Sequence, residues 1–529
     1  MERNSKPILL VLLFFLNFNF LLAQSTTSEI NELLRKAKQG DVLIQFSLAG
    51  LYHYGQNVSQ DYNKAHYWYR KAAEQGHALA QFNLGQMLYK GIGIDQDYEK
   101  AFYWYKKAAE QGHTLAQYSM GDMLYTGTGV SQSYERAFYW YQQSAQKEHT
   151  LAQFSLATMY EQGLHVEQNY KEAFKYYKSS AEKGYVLSQY YLGTMLYDGR
   201  GTKQNEEQAF YWFKKSAEQG DVDAQFYIGW MYSQGEGVGK NVEQAAYWFN
   251  QAAKQGDAEA QYHLGQIHFL GEGVQKDYKQ AFYWINRSAE QGNVDAQYSL
   301  GLMYYEGNGT DKNYKQALEW FQKAANQGNI DAQFYTGWMY SEGEGTQKDY
   351  QQAVYWYGKS AEQGDANAQY NLGLMYYKGE GILQDYNQAF EWFKKAAEQG
   401  DEIGQFYLGW MYGEGEGTDI NHQQAHYWTK KAAEQGDANA QYNLGVIYYK
   451  GEGVSKDYQQ AFHWFRKSAE QGYSDAQYDL GGMYFLGEGV SKSYQDAAFW
   501  FKKSADQGNK EALHSLSELK EQGLKASFE

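Results

Sequence analysis

Thirteen glutamines recur at intervals of 36 residues without one exception: Gln45, Gln81, Gln117, Gln153, Gln189, Gln225, Gln261, Gln297, Gln333, Gln369, Gln405, Gln441 and Gln477. No insertion or deletion breaks the register. A period of this length marks one supersecondary unit copied along the chain, each copy burying its apolar face against its neighbours. A chain of 529 residues is too long for one compact core, and length alone would predict three or four globular domains. The repeat replaces that expectation with a linear array of thirteen units over residues 44–511.

The unit from Ala296 to Asp331 shows what is copied. Tyr298, Leu300, Met303 and Tyr304 fall at helical spacing, and so do Tyr314, Ala317, Trp320, Phe321 and Ala324. Gly307 and Gly309 part the two halves, and Gly328-Asn329 closes the unit, so it reads helix, turn, helix, turn. The residue opening the second helix is Asp, Asn or Ser in every unit, from Asp61 to Ser493, the types that cap a helix N-terminus. Glycine after the first helix, from Gly55 to Gly487, suits a left-handed C′ position. Pro7 is the only proline, so nothing later breaks a helix in that way. The expected fold is all-α.

Twelve units place Trp at one point of the second helix, among them Trp68, Trp320 and Trp500, and Tyr176 stands there in the fourth. Each is expected to be the large core knob of its repeat, facing small residues such as Gly85 and Ala101. The ends differ from the repeats. Residues 24–43 read as an N-terminal capping helix and 512–529 as a polar C-terminal one. The fourth unit is the most divergent, with Ala157, His165 and Tyr176, and Glu148 just before it.

The chain holds 47 basic and 63 acidic residues, a net charge of −16. That balance disfavours a nucleic-acid partner or an anionic membrane surface. It has no cysteine, which excludes disulfides, thiolate catalysis and cysteine-bound zinc. Residues 1–23 read as a signal peptide: Arg3 and Lys6 precede an apolar run from Ile8 to Leu16, with Ala23 at a small-residue cleavage point. Export to the periplasm or outside the cell is therefore expected, with no membrane span in the mature chain.

Candidates for chemistry are few. His422 and His426 lie one helical turn apart, but no third zinc ligand accompanies them. His77, His113 and His149 read as turn residues standing in for Asp or Asn. Gly235 to Asn241 resembles a phosphate loop but lacks its first glycine and its Ser or Thr. The glutamates of the Gly-Glu-Gly turns, Glu236, Glu272, Glu344, Glu380, Glu416, Glu452 and Glu488, follow the repeat and read as a solvated acidic ridge. No cofactor or metal is expected.

The shared motif, AQYxLGxMYYxGEGVxxDYxxAxxWFxKAAEQGD, resembles the SEL-one-like repeat family from Ile44 to Gly523. The resemblance implies a right-handed α/α superhelical solenoid of 36-residue helix-turn-helix repeats, of the tetratricopeptide-like kind. It also implies an adaptor role in multiprotein assemblies. A cysteine-rich exported branch is associated with β-lactam binding and hydrolysis. That activity is not carried over to a chain without cysteine.

One stripe on the first helix varies between units. It reads Tyr227, Trp230, Gln234 in one unit, Tyr335, Trp338, Glu342 in another and Tyr407, Trp410, Glu414 in a third, against Asn371, Leu374, Lys378 elsewhere. By the resemblance, first helices line the concave face. Tyr227, Trp230, Tyr335, Trp338, Tyr407 and Trp410 are thus candidate anchors for a protein or peptide. Packing on the neighbouring repeat is the competing explanation. The leading expectation is an exported, non-enzymatic scaffold that binds protein or peptide through this groove. A cell-wall or glycan-acting enzyme, marked by an isolated pair of carboxylates with shifted pKa, and a passive spacer are the alternatives.

Overall fold

The computed structural model describes residues 27–521, and among them it contains 28 helices and no strand. Thr27–Lys38 comes first and Lys510–Glu521 last. Between them lie thirteen hairpins, each of a first helix (A) and a second helix (B), from Val42–Tyr54 with Tyr62–Glu74 to Ser474–Leu486 with Tyr494–Asp506. The signal-peptide expectation falls outside the described residues, and so does the end of the C-terminal cap. The chain divides into two compact units, residues 1–257 and 258–529. Within each, a helix packs on the helices just before and after it, the arrangement of an α/α solenoid.

Local chemistry sets the helix ends. In all thirteen B helices the N-cap side chain accepts a backbone N–H, from Asp61 taking Lys64 N to Ser493 taking Asp496 N. Every A helix ends on a glycine with φ between 67° and 84°, the left-handed region where a side chain would be strained. His77, His113 and His149 differ from the expectation of solvated turn residues. Each is half-buried at an A-helix N-cap and accepts a backbone N–H through Nδ1, as Asp221 does through a carboxylate oxygen.

Packing corrects the reading of the tryptophans. In each hairpin the residue after the Trp position is buried at least as deeply: Phe321 is 0 % exposed and Trp320 9 %. That ring lies against the glycine of helix A, where a Cβ on Gly301 would sit 2.6 Å from Phe321 and one on Gly229 2.7 Å from Phe249. Glycine there is required by close approach, which outweighs its helix penalty of about 1 kcal/mol. Trp instead plugs the joint between repeats. Trp356 packs among Ala317, Phe321, Ala324 and Ala325 of the preceding repeat, and Trp464 among Ala432 and Ala433.

The invariant glutamine is explained by what it joins. Gln333 is 4 % exposed; its Nε2 donates to the Ala325 carbonyl at 3.1 Å, and its Oε1 accepts from Gln363 Nε2 at 2.7 Å. One side chain thus ties the previous B helix, its own A helix and the end of its own B helix. The Gln–Gln bond is present in eleven of the thirteen repeats, at 2.7–2.9 Å. A slip of one residue would leave two buried amide groups without partners, at about 1–3 kcal/mol each. That constraint holds the period at 36.

Candidate binding face

The variable stripe places each aromatic pair at a joint between repeats. Tyr227 lies flat on Phe213 of the preceding repeat, with ring centroids 4.8 Å apart and planes 8° apart. Tyr335 stacks on Phe321 at 5.1 Å and Tyr407 on Phe393 at 4.8 Å. These tyrosines extend the core outward by one ring, and their own outer faces stay half-buried.

The tryptophans follow one turn later and meet a tyrosine of the preceding repeat. Trp230 stands beside Tyr197, whose Oη donates to Glu236 at 2.6 Å. Trp410 stands likewise beside Tyr377, which donates to Glu416 at 2.8 Å. The Trp338 ring sits 5.8 Å from Tyr305, a tyrosine whose pKa burial and then Glu344 push up. Burial, and then the glutamate bond, push Tyr197 and Tyr377 up to about 12, so both stay protonated donors at neutral pH.

This geometry corrects the expectation of a solvated acidic ridge for three of its seven glutamates, while Glu272 is exposed as expected. Glu236, Glu416 and Glu488 are half-buried and each accepts from a tyrosine 39 residues earlier, the last from Tyr449 at 2.7 Å. Each such bond crosses from one repeat to the next. The motif marked the glutamate but gave no partner, because the tyrosine belongs to the neighbouring copy.

The six aromatic residues are therefore not detached from the fold. Each makes a joint contact and shows a remaining edge. Trp410 shows the most, 39 % of its surface, while Trp230, Trp338 and the three tyrosines are half-buried. Among the described residues no group of three or more His, Cys, Asp or Glu is placed to hold a metal ion. His426 Nε2 instead meets Tyr448 Oη at 3.1 Å. Among the described residues no helix is long and apolar enough to cross a membrane.

Two carboxyls on A helices were not singled out in the sequence. Burial raises Asp122 above its ordinary range. It raises Asp479 to about 6, opposed by a bond from Tyr442 and helped by Asp475 one turn before. Asp479 occupies the stripe position that is Tyr227 or Asn371 elsewhere, and that position was the available signal.

The Sel1 repeat model matches thirteen consecutive segments, beginning with residues 45–77 and 78–113 and ending with 474–509. Among solved structures, c5321, a protective antigen of uropathogenic Escherichia coli with an SLR fold, is 36 % identical, covers 88 % of this chain and 98 % of its own, and has a TM-score of 0.70. A Sel1 repeat protein from Oxalobacter formigenes is 34 % identical over 58 % of this chain and 89 % of its own, with a TM-score of 0.47. The cysteine rich protein B of Helicobacter pylori is 27 % identical over 25 % of this chain and 96 % of its own, with a TM-score of 0.21. No curated protein matches the chain. With the matched segments spanning nearly everything from residue 45 to residue 509, this chain belongs to the Sel1 repeat family.

Proposed function

We propose that the protein is an exported scaffold, not a catalyst, and that the A-helix stripe binds a protein or peptide through the edges of Tyr227, Trp230, Tyr335, Trp338, Tyr407 and Trp410. The observation that carries this reading is Trp410. A tryptophan in a joint would normally be buried, yet 39 % of its surface faces solvent beside the stacked Tyr407. Its ring stands beside Tyr377 in the joint, so little side-chain entropy is lost when a partner docks. Rigid aromatic anchors of this kind carry most of the energy of protein interfaces. Export rests on the basic and apolar residues before Ala23, and the protective-antigen description of the E. coli relative agrees with it.

The test uses the mature chain and its Trp230→Ala/Trp338→Ala/Trp410→Ala variant as bait. A partner retained by the first is identified by mass spectrometry, purified and titrated against both. The variant is expected to keep its helical circular dichroism and to bind at least about thirtyfold more weakly, the equivalent of about 2 kcal/mol. Undiminished affinity would place the partner on another surface.

A further inference from the structure

Between the B helices of repeats 2 and 3, Tyr98–Glu110 and Tyr134–Ala145, lies a cavity of about 420 Å³ lined by Lys106, Met120, Glu135, Arg136, Tyr139 and Trp140. It lies within residues 1–257 and is formed by B-helix side chains over the buried Met120 of helix A. Two departures from the common repeat coincide here.

The first concerns Arg136. Repeats 1 and 2 carry Lys64 and Lys100 at this position, each held by its own capping aspartate at 3.1 Å and 2.7 Å. In repeat 3 the cap is Ser133, which is uncharged and takes only the Arg136 backbone N–H. Among the described residues no carboxylate pairs with the Arg136 guanidinium. From repeat 4 onward the position becomes Glu172, Gln208 and Gln244, so the cations stop here. Lys106 adds a second ammonium, whose ion pair is Glu110 at 3.8 Å.

The second concerns Tyr139. The residue before Trp is an exposed tyrosine in many repeats, and a lysine one turn later covers its ring: Lys71 over Tyr67 at 5.9 Å, Lys107 over Tyr103 at 5.8 Å, Lys215 over Tyr211 at 5.8 Å. Gln143 stands at that place in repeat 3, as Gln251 does after Tyr247 in repeat 6, and among the described residues no cation covers Tyr139. The ring is 51 % exposed and stands edge-on to Trp140, with centroids 5.0 Å apart. An open aromatic wall and an apolar floor are thus flanked by two cations.

The charge around the cavity fits an acidic ligand. Residues 44–151 hold nine basic and nine acidic residues, while the whole chain carries −16. An anionic partner is repelled along most of this protein and not here. The volume holds one large side chain with its neighbouring backbone, and the exposed Tyr103 and Tyr67 continue the surface beyond it, which suits an extended ligand.

We propose that this cavity binds an acidic peptide segment. An aliphatic or aromatic side chain of the peptide enters against Tyr139 and Trp140 onto Met120, flanking carboxylates engage Lys106 and Arg136, and Glu135 accepts a peptide N–H. The site is on B helices and is separate from the A-helix stripe.

The experiment titrates the full mature chain with fluorescein-labelled octapeptides and follows anisotropy. One set has a central Leu or Trp flanked by Asp and Glu, and a second has the same centre flanked by Lys. Polygalacturonate serves as an acidic polymer without apolar side chains. The acidic peptides are expected to bind, more tightly at low salt, and the lysine-flanked ones not. Lys106→Gln/Arg136→Gln should weaken binding at least about tenfold, and Tyr139→Ser should weaken it with the salt dependence retained. Circular dichroism checks that each variant is folded. The Trp230, Trp338, Trp410 variant should bind the acidic peptides normally, so this proposal and the A-helix reading fail separately. Absence of acidic-peptide binding, equal binding by the double variant, or binding of polygalacturonate in place of the peptides would overturn the assignment.

Discussion

Repeats 9 and 10 and repeats 3 and 4 have the same helices in the same order, yet they close their joints differently. In repeats 9 and 10, Gln333 and Gln369 accept from Gln363 and Gln399 at 2.7 Å and 2.8 Å, and both donate to an alanine carbonyl at 3.1 Å. Their closing turns use Gly364 and Gly400 in the left-handed region. In repeats 3 and 4 the donors are gone. Lys147 and Lys183 stand there and send their ammoniums to the carbonyls of Gly112 and Glu148. Gln117 Oε1 and Gln153 Oε1 are left buried without a hydrogen-bond partner. Glu148 and His165 hold φ of 62° and 67° where most copies have glycine. Even a joint ion pair is reversed: Glu161 takes bonds from Tyr177 and Arg200, where other joints run from tyrosine to the turn glutamate.

The difference teaches that the helical hairpin tolerates substitution but its joints are counted atom by atom. Apolar packing survives in repeats 3 and 4, because Tyr141 and Tyr177 stay buried. The polar accounting does not survive, and each departure leaves a nameable atom or angle behind. Restoring the common residue should therefore recover stability, while removing the packing that both regions share should cost the most.

The largest effect is expected for that shared packing. Phe393→Ala removes a ring that is 0 % exposed and carries Tyr407 on its other face. It should destabilise the array by about 3–5 kcal/mol, read by urea unfolding, with hydrogen exchange rising first in repeats 10 and 11. A loss below about 1 kcal/mol would take that ring out of the core.

The next effect concerns Asp479, where repeats 10 and 12 carry Asn371 and Asn443. Burial raises its folded-state pKa to about 6, above the ordinary value near 4 that the unfolded chain keeps. Between those values the folded state binds the extra proton, so stability falls as pH rises from about 4 to about 6, and the full penalty stands above that. Asp479→Asn removes the titration. It should gain at most about 3 kcal/mol at pH 7 and nothing near pH 4, measured by paired thermal melts. An equal gain at both pH values would show that the carboxyl charge is not the cause.

A smaller effect is expected at Glu148. Glu148→Gly relieves a left-handed backbone at about 1–2 kcal/mol and sacrifices only an exposed pair with Lys183 at 3.6 Å. Gly364→Ala, the opposite change at the equivalent turn after repeat 9, has open space around it and so isolates the backbone strain, with a loss of similar size expected in chemical denaturation.

The repeat, the helix ends and the family were legible in the sequence because they are local or periodic. A capping residue such as Asp61 and a turn glycine such as Gly55 act within a few residues of themselves. What was not legible lies between copies. Trp320 and Phe321 are adjacent large residues, and periodicity alone does not say which faces Gly301 within the hairpin and which faces the previous repeat. The partner of Glu236 is Tyr197, 39 residues away, and no spacing rule for one helix finds it. The candidate stripe was readable as variation, yet its stacking on Phe213, Phe321 and Phe393 joins residues of two copies and leaves no local signature.

The smallest effect tests the glutamine link itself. Lys147→Gln places a side chain at the position from which Gln111 and Gln219 reach Gln81 and Gln189 at 2.7 Å. The buried Gln117 Oε1 then gains a donor, worth about 1 kcal/mol or somewhat more because the atom is otherwise desolvated and unmet. Against this stands the loss of the Lys147 ammonium from the Gly112 carbonyl. That bond is on the surface, and the carbonyl can take water in its place, so the net change should be stabilising by about 0.5–1 kcal/mol. Gln363→Lys makes the reverse change in repeat 9 and should orphan Gln333 Oε1 at about the same cost. Native-state hydrogen exchange of repeats 3 and 9 reads both variants where they act. If neither substitution alters protection, the glutamines keep the 36-residue register for some reason other than this bond, and the contrast between the two regions loses its energetic basis.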